Sequence, residues 1–156
     1  MDILVLSDTH GEIRKAIEIC KDQPADIIIH LGDYAKDAVA IQKEIGKPIT
    51  YVKGNMDTGF SGKELDILTT EKGNILLVHG HREGVKGHLQ NLLYKAEELN
   101  CFAVFFGHTH ISFNYQIGDI HLLNPGSLSR PKDGSRGTYG MVYITREIFE
   151  PSIIYI

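Results

Sequence analysis

Cysteine is scarce, cationic excess is missing and the apolar runs are short, and each absence closes off a class of protein. The two cysteines, Cys20 and Cys101, stand apart with no CxxC spacing, which excludes a disulfide framework and suits a reducing compartment. Lysine and arginine number 16 against 20 aspartates and glutamates, a net charge of −4. Bulk coating of nucleic-acid phosphates is therefore not expected. Apolar stretches such as Ile27 to Ile29, Ile75 to Val78 and Phe102 to Phe106 fall far short of the roughly 20 residues of a membrane helix. The opening run Met1-Asp2-Ile3-Leu4-Val5-Leu6 carries an early acid and no basic region, unlike a secretory signal. A soluble, cytoplasmic protein with no membrane partner is the expectation.

What is present is a globular composition. With 156 residues, 42% of them hydrophobic and 23% charged, the chain has the length of one ordinary domain and enough apolar material for a core. No linker-like shift in composition and no internal repeat interrupts it, so one domain over 1–156 is expected.

Periodicity supplies the elements. Ile3 to Leu6 reads as a strand, and Ile13, Ala16, Ile17 and Cys20 then recur at the spacing of one helical face within Glu12 to Cys20. The pattern repeats with a buried strand over Asp26 to Leu31, a helix over Ala35 to Ile45 and a strand over Pro48 to Val52. Such βαβ units imply a parallel sheet. Leu65 to His79 reads as a hairpin turning at Glu71-Lys72-Gly73-Asn74, followed by a helix over Val85 to Glu98 and a strand over Phe102 to Phe106. Beyond His110 the chain is mainly β, with strands over Ser112 to Ile117, Ile120 to Leu123, Tyr139 to Thr145 and Ser152 to Ile156. An α/β protein with stacked sheets and helices outside follows.

Polar residues fall where packing would not ask for them. Asp8-Thr9-His10, Gly32-Asp33, Gly54-Asn55-Met56-Asp57, His79-Gly80-His81 and Gly107-His108-Thr109-His110 each follow an expected strand. The carboxyl ends of strands form the ligand crevice of parallel α/β sheets, so these five segments can meet. Each has an ordinary reading as well. Asp8 and Asp33 suit helix caps, Asn55 and Asp57 suit tight turns, and a lone histidine after a strand proves little. Ordinary roles do not account for all five together. Asp8, His10, Asp33, Asn55, His79, His108 and His110 offer more donors than one tetrahedral ion uses, so two metals are implied. A metal pair about 3.5–4 Å apart suits in-line displacement at phosphorus, and its charge would let an acidic chain hold an anion.

These segments resemble the calcineurin-like metallophosphoesterases, and within them the small single-domain phosphodiesterase branch, over nearly the whole chain. The shared blocks are Asp8-Thr9-His10, Gly32-Asp33, Gly54-Asn55-Met56-Asp57, His79-Gly80 and Gly107-His108-Thr109-His110, with Asn124-Pro125-Gly126-Ser127 matching a later loop. The resemblance implies a four-layer αββα fold. It also implies that Asp8, His10 and His110 hold one divalent metal, that Asn55, His79 and His108 hold the other, and that Asp33 bridges them. Manganese leads the expected metals, with zinc, iron, nickel, cobalt and magnesium as alternatives. The implied activity is phosphodiester hydrolysis by a hydroxide shared between the ions, on a small-molecule substrate, with Asp33 and Asn55 in catalytic roles. The extended segment His79-Gly80-His81 aims both imidazoles toward one edge, so His81 is expected either in a catalytic role or as a hydrogen-bonding support of the ligands. Where many relatives carry histidine after Gly-Asn this chain has Met56, whose thioether donates no proton; diesters or activated esters are favoured accordingly. Asp57 is expected to structure its turn. The competing functions are a phosphomonoesterase or protein phosphatase, and a non-catalytic protein-binding scaffold of the same fold. Exposed apolar residues of the β-rich half leave room for a homo-oligomer.

Overall fold

A computed structural model describes residues 1–156. The chain runs β1 (Asp2–Leu6), α1 (Arg14–Asp22), β2 (Ile27–His30), α2 (Ala35–Ile45), β3 (Ile49–Tyr51), β4 (Leu65–Thr69), β5 (Asn74–Val78) and α3 (Gln90–Glu98). It continues through β6 (Cys101–Phe105), β7 (Phe113–Ile117), β8 (Ile120–Asn124), β9 (Thr138–Ile144) and β10 (Phe149–Tyr155). Two mixed five-stranded sheets result, ordered β10-β9-β1-β2-β3 and β4-β5-β6-β8-β7. Each has a parallel centre, β1-β2-β3 in one and β5-β6-β8 in the other. Antiparallel partners complete them, β9 and β10 in the first and β4 and β7 in the second.

Alternation along each central strand stacks the layers. Because successive side chains of a strand point to opposite faces, Ile3 and Val5 of β1 join Ile75 and Leu77 of β5 and Ala103 and Phe105 of β6 in a core between the sheets. Leu4 and Leu6 point the other way, onto Ala16 and Cys20 of α1 and Ala38 and Ile41 of α2. Leu76, Val78, Val104 and Phe106 likewise face Leu92 and Ala96 of α3. Both faces of the central strands are thus buried, which explains why they read as unbroken apolar runs rather than as alternating ones. The order of layers is helix, sheet, sheet, helix.

Two helices start later than the periodicity predicts. α1 begins at Arg14 instead of Glu12, after Gly11 takes a φ of +84°. α3 begins at Gln90 instead of Val85, because Gly84 adopts a φ of +67° and the Gly87 N–H bonds back to the Gly84 carbonyl, making turns in place of a first helical stretch. Glycine's low helix propensity is the local cause. The hairpin closes as expected, with Thr70 and Gly73 exchanging backbone hydrogen bonds between β4 and β5.

Candidate metal centre

The loops that follow β1, β2, β3, β5 and β6 meet at one edge of the two sheets. Asp8, His10, Asp33 and His110 bring one donor atom each within 4.8 Å of one another, and Asp33, His79 and His108 do the same. The spacing inside is tight. His110 Nε2 stands 3.2 Å from Asp8 Oδ1 and 3.1 Å from His10 Nε2. On the other side His79 Nε2 lies 3.4 Å from Asp33 Oδ1 and 3.2 Å from His108 Nδ1. Asp33 belongs to both groups and separates them.

Proton accounting shows what these atoms await. A carbonyl oxygen only accepts, so His110 donates Nδ1–H to the Arg130 carbonyl at 2.8 Å, and His79 donates Nδ1–H to the Leu31 carbonyl at 2.7 Å. In each neutral ring the other nitrogen, Nε2, then carries a lone pair, and both point inward at carboxylate oxygens. Asp8 Oδ2 is satisfied by the Ser7 hydroxyl at 2.5 Å and the His108 N–H at 3.0 Å, while Asp8 Oδ1 is buried with no donor at all. Buried acceptors facing one another without a donor are costly. Cations remove that cost, and carboxylate with imidazole is a fitting donor set for divalent transition metals.

Titration behaviour agrees with a site built around positive charge. Burial alone would raise the Asp8 and Asp33 carboxyls, but His110, His79 and Ser7 hold Asp8 below its ordinary range. His79, the Met56 N–H and His10 bring Asp33 down to about 2. Burial would lower His79, yet Asp33 and Asp8 hold its pKa up. Two carboxylates thus favour positive charge at that imidazole, a demand that a divalent ion would meet with the ring neutral. His108 is pushed down to about 4 by burial and by His79, and burial also lowers His10.

The local backbone is committed to this arrangement. Asp8, His10, Asp33, His108 and His110 all have positive φ, between 49° and 70°. Aspartate and histidine enter this region more readily than most residues, but each such residue still costs on the order of 1 kcal/mol or more. The adjoining glycines are required by close approach. A Cβ on Gly54 would collide with the Asp33 carboxylate, and one on Gly107 with the Ser7 hydroxyl and the Asp8 carboxylate.

Capping does not explain the aspartates. Neither α1 nor α2 has a side-chain cap on its own N-cap residue, so Asp8 and Asp33 cap no helix. The start of α2 is held instead by Asp57, which accepts the Ala35 N–H and the Gly54 N–H, both at 2.7 Å, and fastens the β3 loop to the helix. Asn55 is exposed on that loop, between Gly54 and Met56, whose N–H bonds Asp33 Oδ1 at 3.0 Å. Met56 itself is 55% exposed. The His81 ring lies 5.3 Å from His79 and 6.1 Å from His108 between centroids, outside both close groups, with Nδ1 buried and unbonded.

A bracing network had little signal in the sequence. His30 is fully buried; its Nδ1 accepts the Gly32 N–H, so Nε2–H donates to Thr9 Oγ1 at 2.9 Å. The Thr9 hydroxyl donates in turn to Asp37 of α2, which also accepts the Gly11 N–H. On the opposite side Ser127 donates to the Asp8 carbonyl, Ser129 to the Thr9 carbonyl, and Asn124 to the Gly107 carbonyl. The Asn124-Pro125-Gly126-Ser127 segment is singled out in the sequence only by the family resemblance. Of the arginines, Arg14 pairs with Glu18 and Arg82 with Glu64, while Arg130 and Arg136 are exposed. His88 is exposed, and His121 donates to Asn114 Oδ1 at 2.6 Å. No helix is long and apolar enough to cross a membrane.

Comparison with known proteins places this geometry. The sequence description of the calcineurin-like phosphoesterase superfamily domain matches residues 1–147. A Mycoplasma genitalium protein named "Probable metallophosphoesterase MG207" is 36% identical over 135 residues, 84% of this chain and 79% of its own. "Phosphodiesterase YfcE" of Escherichia coli K12 is 30% identical over 167 aligned residues, 91% of this chain and 87% of its own. Among solved structures, a protein of Streptococcus pneumoniae TIGR4 described as a predicted phosphoesterase superposes with a TM-score of 0.85 at 28% identity, over 99% of this chain and 88% of that one.

Proposed function

The chain belongs to the calcineurin-like phosphoesterase superfamily, and from that premise we propose that it is a metal-dependent phosphodiesterase formed by one domain over residues 1–156. The observation that carries the reading is the buried, donorless Asp8 Oδ1, faced by the inward lone pair of His110. Asp8, His10 and His110 would hold one divalent ion, Asn55, His79 and His108 the other, and Asp33 both. When bound, such a pair acidifies water to supply the nucleophile and neutralises charge on the phosphoryl oxygens. Manganese leads the candidate metals.

The chain's own residues do the rest. The Leu31 and Arg130 carbonyls fix the His79 and His110 rings, so both keep Nε2 aimed inward without a search among tautomers. Asn55, exposed on the loop after β3, would contribute its amide to the second ion. His81 stands beside the second group, its ring 5.3 Å from that of His79 between centroids, and would act on the phosphoryl group from there. No acid side chain replaces Met56, and diesters with good leaving groups are the substrates this favours. The similarity to a protein named as a phosphodiesterase supports the same class.

The test is hydrolysis of bis(p-nitrophenyl) phosphate against p-nitrophenyl phosphate by metal-stripped protein, with manganese added back and Asp33→Ala as control. Manganese-dependent diester cleavage that the substitution abolishes is expected. Absence of turnover by folded, metal-loaded protein under several metals would overturn the reading.

A further inference from the structure

A cavity of about 520 Å³ opens directly beside the candidate centre. It shares a wall with it: Thr109, between His108 and His110, lines the cavity, and the Lys132 N–H bonds the His110 carbonyl. The turns that precede α3 form one side of it, through Val85, Lys86, Gly87, His88 and Leu89. Its walls are apolar and partly aromatic, from Val85, Leu89, Phe106, Ile111 and Phe113, with Phe106 and Phe113 tilted at 6.3 Å between ring centroids. At the rim stand the exposed ammonium groups of Lys86 and Lys132.

Apolar walls with a cationic rim next to a phosphate-directed centre ask for one kind of occupant. We propose that this cavity receives an aromatic ester arm of the substrate, so that the protein selects aryl or similarly flat diesters over dialkyl ones. Aromatic rings prefer offset or edge-to-face partners, which the half-buried Phe113 ring can offer, and the two lysines complement the diester anion as it leaves bulk water. The volume falls in the ordinary range of small-molecule pockets. Another hollow, lined by Tyr34, Lys36, Met56 and Phe60, also adjoins the loops, but it is smaller and contains no residue of the Gly107–His110 segment. The assignment rests on the phosphodiesterase reading.

Binding and turnover test the two separately. Amide shifts of the manganese-free protein and dissociation constants of the manganese-loaded protein are measured with diphenyl phosphate and with dimethyl phosphate. The expected result is that diphenyl phosphate moves the Thr109, Ile111 and Phe113 amides and binds at least about tenfold tighter than dimethyl phosphate. Ile111→Asp, at a position already 46% exposed, should remove that preference. Equal affinities in the wild type, shifts confined to the Tyr34–Phe60 hollow, or a folded Ile111→Asp protein that keeps the preference would each overturn the proposal. The wild-type comparison does not depend on the variant folding. Loss of bis(p-nitrophenyl) phosphate turnover in the wild type, with the aryl preference intact, would sink the enzymatic reading alone.

Discussion

Asp8 Oδ1 and His110 Nε2 face each other at 3.2 Å, while the other ring nitrogen of His110, Nδ1, donates its N–H to the Arg130 carbonyl. In a neutral ring Nε2 carries a lone pair, and one cation shared between it and Asp8 Oδ1 satisfies both atoms.

A cation at this site should stabilise the fold. Manganese binding to folded but not unfolded protein adds about 2.7 kcal/mol when the free ion exceeds its dissociation constant a hundredfold. Thermal denaturation with and without manganese should therefore show a rise of several degrees, reversed by chelator. In Asp33→Ala, which removes the carboxylate common to both groups, the rise should shrink or vanish. An unchanged rise would place the bound ion elsewhere.

Adding one methyl group beside the carboxylates should empty the site without touching a donor. Gly54→Ala and Gly107→Ala put a Cβ into the Asp33 and Asp8 carboxylates respectively. Overpacking of this kind costs about 1–3 kcal/mol, and here the yielding part is the donor geometry. Elemental analysis should find less manganese per chain in both variants, and denaturant titration should find reduced stability. Full metal content in Gly54→Ala would show that the loop shifts freely.

Stability should fall on mild acidification through His30. Burial pushes this imidazole down to about 4, below its ordinary 6.5, so the folded state resists a proton that the unfolded chain accepts. Its contribution is complete above pH 6.5 and is lost as pH falls from 6.5 toward 4, reaching about 3 kcal/mol at the lower end. His108 and His10, also lowered, act in the same direction; His79, raised, acts in the opposite one. His30→Gln should flatten the fall in unfolding free energy between pH 6.5 and 4, read from urea titrations of metal-free protein. A slope equal to the wild type's would assign the effect to the other histidines.

Restoring a proton donor after Asn55 should broaden the chemistry. Met56 is largely exposed, and its backbone N–H already bonds Asp33, so Met56→His should fold normally. General acid catalysis is worth roughly a hundredfold or more where the leaving group is poor. Turnover of methyl p-nitrophenyl phosphate, whose leaving group needs little help, should change little, whereas dialkyl diesters should gain. An equal change for both would mean that position 56 does not reach the leaving oxygen.

The elements of the fold could be read from the chain to within a few residues because both sheets place their central strands between apolar layers. Ile3 to Leu6, Ile75 to Val78 and Cys101 to Phe105 have no solvent face to break the run. The start of α3 was not legible in the same way. Val85 and Leu89 have the right spacing for a helix, but Gly84 turns the chain, and the turns that result line the cavity beside Thr109. The motif residues were visible because short donors followed by or following glycine serve no core. The brace of His30, Thr9 and Asp37 was hidden, since a buried histidine at a strand end and an aspartate in a helix each look ordinary until their hydrogen bonds are known.

By itself the sequence determined the residue types: seven candidate donors at the ends of five strands, and glycines small enough to let the loops touch. That follows from local chemistry, because donor identity and the absence of a Cβ belong to single residues. Only the tertiary structure decided which nitrogen of His79 and His110 points inward, that Asp8 keeps one oxygen without a partner, and that Asp57 rather than Asp33 holds the start of α2. Those outcomes depend on where the carbonyls of Leu31 and Arg130 lie relative to loops 48 and 20 residues away in the chain, and such distances are set by the stacking of the two sheets, which no local pattern encodes.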